Sequence, residues 1–127
     1  MPMSKKEVRV IVPAGPERWH REVGDAAVAR LEIPADAQRE RVFEIAISML
    51  VRARDDARQP WHEMRIYADG ELQWSRRCST QQPAEYDGLD YRFQRRIAVG
   101  RALRLQVHCE CSGAQRLKTR IEAEQQL

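Results

Sequence analysis

The chain has 127 residues, enough for one domain that buries its own core without a disulfide or a metal. Hydrophobic residues at 43% and charged residues at 32% describe a globular protein rather than a disordered one, and no apolar run approaches the roughly 20 residues of a membrane span. The 22 basic and 19 acidic residues leave a formal net charge of +3, but their signs alternate, as in Lys5-Lys6-Glu7 and Arg39-Glu40-Arg41, so neither a basic face nor a nucleic-acid partner is expected.

Taken in chain order, Gly and Pro punctuate short segments with a period of two, the pattern of strands joined by turns. Glu7 to Val12 puts Val8, Val10 and Val12 on one side. Ala26 to Ile33 carries Leu31 and Ile33 and stops at Pro34. Residues 41–54 fit two templates. As a strand they align Phe43, Ile45, Ile47, Met49 and Val51. As a helix over 37–54, with Asp36 as N-cap, they gather Val42, Ile45, Ala46, Met49, Leu50 and Ala53. The surrounding strands favour the first.

Trp61 to Arg76 is a hairpin around Asp69-Gly70. A two-residue loop would set Ile66 against Gln73 and scatter apolar residues over both faces. A three-residue loop, Ala68-Asp69-Gly70, pairs Ile66 with Leu72 and Met64 with Trp74, segregates the faces, and is expected to win. Tyr91 to Val99 carries Phe93, Ile97 and Val99, with Arg95 as the odd member that marks an edge or a bulge. Leu103 to Cys111 and Leu117 to Ala123 alternate in the same way. A Ser112-Gly113-Ala114 loop would pair Cys109 with Leu117, and would oppose Glu110 to Arg116 and Arg104 to Glu122.

These elements predict an all-β fold: a single antiparallel sandwich of about seven or eight strands spanning residues 1–127, immunoglobulin-like or jelly-roll-like. The alternative is α+β with residues 37–54 helical.

The chemistry-bearing residues are sparse. His108, Cys109, Glu110 and Cys111 alternate across a strand, so the two thiols face the core and no metal site is expected. Glu85, Asp87 and Asp90 cluster near Gly88 but read as a polar turn rather than a calcium loop. No nucleophile elbow, phosphate loop or zinc-protease motif occurs, so neither a catalytic residue nor a cofactor is assigned. Two Trp-His dipeptides, Trp19-His20 and Trp61-His62, are the candidate ligand-binding residues if both loops meet at one end of the sandwich.

Arginine replaces lysine almost throughout and asparagine is absent, a bias toward GC-rich codons that suggests a bacterial source. No signal-peptide pattern is read at the N-terminus, and three cysteines are an odd number, so a cytoplasmic protein with reduced thiols is expected. The function expected is a non-catalytic protein-interaction module, binding a protein partner or itself as a homodimer through an edge strand near Val8–Val12. The alternative is a small-ligand binder for a sugar-like or aromatic compound, using Trp19, His20, Trp61 and His62.

Overall fold

The computed structural model describes residues 15–82 and 86–127. Eight strands account for most of them: β1 (Arg18–Val23), β2 (Val28–Ile33), β3 (Arg41–Ala53), β4 (Trp61–Ala68), β5 (Glu71–Ser79), β6 (Asp87–Ile97), β7 (Leu103–Ser112) and β8 (Ala114–Gln126). They form two four-stranded antiparallel sheets, one ordered β1-β8-β3-β6 and the other β2-β7-β4-β5. Within the sheets β1 pairs with β8, β2 with β7, β3 with β6 and β4 with β5. One long hairpin with its tip at β4–β5 has thus been rolled over on itself, the jelly-roll form of the expected sandwich. The N-terminal segment read as a strand, Glu7 to Val12, lies outside the described residues.

The strand period decides what is buried. Phe43, Ile45, Ile47, Met49 and Val51 of β3 are all 3% exposed or less and face the opposite sheet. Both edges of β3 are hydrogen-bonded, to β8 and to β6. The helical alternative over 37–54 is therefore excluded: its stripe would have left Phe43, Ile47 and Val51 out of the core. Met64, Ile66 and Ala68 of β4, with Leu103, Leu105, Val107 and Cys109 of β7, supply the other half of the core.

The β4–β5 hairpin differs from expectation. Asp69 (φ 51°) and Gly70 (φ 84°) form a two-residue turn with positive φ at both positions, so Ala68 pairs with Glu71 and Tyr67 with Leu72. A bulge then absorbs Gln73, and Ile66 pairs with Trp74. The three-residue loop is not formed. The turn takes its preferred geometry and the bulge restores the inward face, which places Trp74 beside Ile66 and leaves Leu72 56% exposed.

The proposed β7–β8 hairpin is also overturned. The two strands lie in different sheets, and only Gly113 (φ 67°) separates them. A Cβ at Gly113 would sit 3.0 Å from Ala57 Cβ and 3.2 Å from Pro60 Cβ, so a glycine makes the corner. Cys109 therefore pairs with Met64 rather than Leu117, and a bulge removes Leu117 from the alternation of β8. Glu110 bonds Arg65 at 3.0 Å, and Arg104 faces Glu32 at 3.5 Å. Strands that face each other across a core carry the same alternation as strands that pair side by side, and the pattern alone does not separate the two.

Candidate functional site

The two Trp-His pairs do not converge. Neighbouring residues of a strand point to opposite faces, so each dipeptide is split. Trp19 on β1 opposes Ala123 and packs against the core, whereas His20 is exposed on the outer face of its sheet. Trp61 lies on the outer face of the other sheet with the Arg77 guanidinium 3.6 Å above its ring. His62 is fully buried between the sheets. No single concavity receives all four.

The sandwich is closed unevenly. On one side, β1 and β2 approach each other and Arg21 Nε donates to the Arg30 carbonyl at 3.3 Å, covering part of the β2 edge. On the other side lie β5 and β6, the outermost strands of their sheets. Among the described residues, no strand pairs with the free edge of either. What bridges this seam is aromatic: Trp74 of β5 stacks on Tyr91 of β6 at 4.6 Å between centroids, and Tyr91 lies 5.8 Å from Phe93. All three rings are only half-buried.

Both edge strands place an arginine in an inward-facing position. On β6, Arg95 follows Tyr91 and Phe93 along the inner face and reaches toward Asp69, 3.8 Å away. On β5, the inward positions Trp74, Arg76 and Cys78 oppose Ile66, Met64 and His62. Arg76 is exposed nonetheless and forms no ion pair among the described residues. The sequence had flagged Arg95. The same signal at Arg76, a charge in the alternation Trp74-Arg76-Cys78, was there to be read.

Beneath the seam, His62 joins three elements. Its Nε2 is 3.3 Å from the Gly88 carbonyl of β6 and 3.2 Å from Cys78 Sγ of β5, and its Nδ1 is 2.7 Å from Thr80 Oγ1. A carbonyl only accepts, so Nε2 carries the hydrogen and donates to it, while the Thr80 hydroxyl donates to Nδ1. Cys78 then meets a donor rather than a base. Burial, with Asp87 nearby, also pushes its thiol up from the usual range. The pair has the composition of a nucleophilic dyad without the electrostatics of one, and it serves as a polar pin between the sheets. Gly88 is required there, because a Cβ would stand 2.1 Å from the Met49 carbonyl oxygen.

Cys78, Cys109 and Cys111 are all free thiols. Cys109 is buried against Thr119, and burial raises its pKa as well. Among the described residues, no three His, Cys, Asp or Glu side chains gather to hold a metal ion, and no helix is long and apolar enough to cross a membrane. Asp87 spends its carboxylate on the N–H groups of Gln81 and Gly88, and Glu85 lies outside the described residues.

The fold defines an all-β sandwich domain of two four-stranded sheets, with β5 and β6 at neighbouring edges that no strand among the described residues covers. No protein-family model matches the chain, and no curated protein matches it. Among solved structures it is similar to part of the crystal structure of dimeric latent PorU from Porphyromonas gingivalis. The TM-score is 0.53 at 12% identity over 89% of this chain. The chain spans 13% of that protein's length, and the likeness is one of fold.

Proposed function

We propose that this domain is a non-catalytic protein-interaction module of a bacterial cytoplasm that receives an extended segment of another protein at its open β5–β6 seam. The observation that carries the reading is the seam itself: two neighbouring edges, unpaired among the described residues, over the half-buried rings of Trp74, Tyr91 and Phe93. Unpaired edges offer a row of N–H and C=O groups to an added strand, and amphipathic rings at an edge supply contact area at low entropic cost. Three free thiols suit a reducing compartment.

A displayed library of random peptides of about nine residues, the length of β5, tests the reading against immobilised protein. Peptides retained by the native domain and lost on a Trp74→Ser variant, whose folding is verified by circular dichroism, support it. Enrichment of none, or enrichment indifferent to Trp74, overturns it.

A further inference from the structure

The inward arginines say what kind of segment the seam takes. A charge pointing inward at a sheet edge is a device against indiscriminate pairing, because an apolar strand laid beside it would bury an unpaired cation. Arg95 is already partly satisfied by Asp69, whereas Arg76 has no ion pair among the described residues. The carboxylate of Asp87, on the neighbouring strand, is occupied by the N–H groups of Gln81 and Gly88. The deterrent at Arg76 is thus specific: it rejects neutral and basic strands and accepts one that brings its own carboxylate.

We propose that the β5 edge recognises an extended acidic segment carrying an apolar residue and, two positions along, an Asp or Glu. The apolar side chain lies against Trp74 and the carboxylate meets Arg76. The spacing follows from the strand period: residues two apart on an added strand project to the same side, as Trp74 and Arg76 do on β5. The occupant is a different protein rather than a second copy of this chain. The one carboxylate of β5 itself, Glu71, lies at the turn end of the strand with no apolar residue two positions along it, so a second copy of β5 does not offer the required pair of side chains, and its Arg77 is already held by Glu63 at 2.7 Å. The inference rests on the interaction reading above and adds the chemistry of the partner.

The probes are fluorescent nine-residue peptides of alternating Thr and Val with a central Leu-Thr-Glu or Leu-Thr-Lys, followed by anisotropy. The Glu peptide is expected to bind about tenfold more tightly than the Lys peptide at low salt, with the difference shrinking as salt is raised. Arg76→Glu should reverse the order, and Arg76→Gln should abolish it. Arg76 is exposed, so neither variant is expected to unfold the domain. Equal binding of both peptides, or a preference that survives Arg76→Glu, overturns the acidic selection while leaving the module reading intact. Binding of neither overturns both. Sedimentation as a dimer that the Glu peptide dissociates would make the second copy the occupant and overturn the assignment of a foreign partner.

Discussion

Arg41 shows how a single charge is accommodated in an apolar neighbourhood. Its side chain is 2% exposed, yet Nη1 donates to Glu17 Oε1 and Nη2 to the Pro34 carbonyl, each at 2.7 Å, while the guanidinium lies over the Phe43 ring. Glu17 also accepts from Trp19 Nε1 at 3.1 Å, so one ion pair ties the start of β3 to the entry of β1. Arg41→Ala should destabilise the domain by about 3 kcal/mol, because Glu17 and the carbonyl lose their donors in a low-dielectric site. Arg41→Lys should recover only part of this, since an ammonium does not span both acceptors in the fixed fork of a guanidinium. Urea midpoints measure both. His108 gives a pH dependence. Burial, then the positive charges of Arg65 and Arg30, lower its pKa below 6.5. The unfolded chain therefore takes up the proton first. The stabilisation is complete above about pH 6.5 and is lost as the pH falls through the folded value. His108→Gln should flatten this part of the stability profile. Glu63 acts in the same direction further down. Burial opposes its charge, but hydrogen bonds from Arg77 and Arg65 outweigh that and hold its pKa below the usual carboxylate value. A second loss is expected as the pH drops below about 4.5.

At the scale of elements, what could be read from the sequence is the inward face of each strand. Phe43 to Val51, Leu103 to Cys109 and Thr119 to Ala123 are buried at alternate positions as the period demands. Which strand lies beside which was less legible. Ser112 to Ala114 looked like a hairpin loop because β7 and β8 share one core from opposite sheets, and the apparent Glu110–Arg116 and Arg104–Glu122 pairs were coincidences of a chain dense in both signs. The Asp69-Gly70 turn was legible as a turn but not in its register, since a bulge at Gln73 is invisible to a strict count of two. Gly70 retains its positive φ in either register. Gly70→Val should cost about 1–2 kcal/mol, a β-branched side chain being forced into the left-handed region. Thermal unfolding of this variant beside Leu72→Thr separates backbone strain from the loss of an exposed apolar side chain. Gly88→Ala should be worse than the Leu72 change, by about 1–3 kcal/mol, because a backbone oxygen of β3 must move to admit the methyl group. The candidate site was only half legible. Residue types named the Trp-His pairs, but strand alternation divides them, whereas the seam depends on which strands end a sheet, and that is a property of topology.

For the whole molecule, the rolled hairpin means that sequence separation grows with each pair: β4 meets β5 across a tight turn, while β1 meets β8 from the far end of the chain. Loop closure must be completed before those distant pairs contribute, so folding is expected in milliseconds to seconds rather than microseconds. A stopped-flow chevron measures it, and single-exponential relaxation within microseconds would contradict it. The same pairing has a mechanical side. Arg18 lies opposite Glu124 and Val23 opposite Thr119, so the chain enters β1 and leaves β8 at the same end of one ladder. Tension applied between residues 15 and 127 would load that ladder at its open end and part its hydrogen bonds in succession, as a zipper opens, rather than all together as in shear. Under such a pull β1 would peel from the sheet at low force while β4 and β5, joined at the far tip, still held.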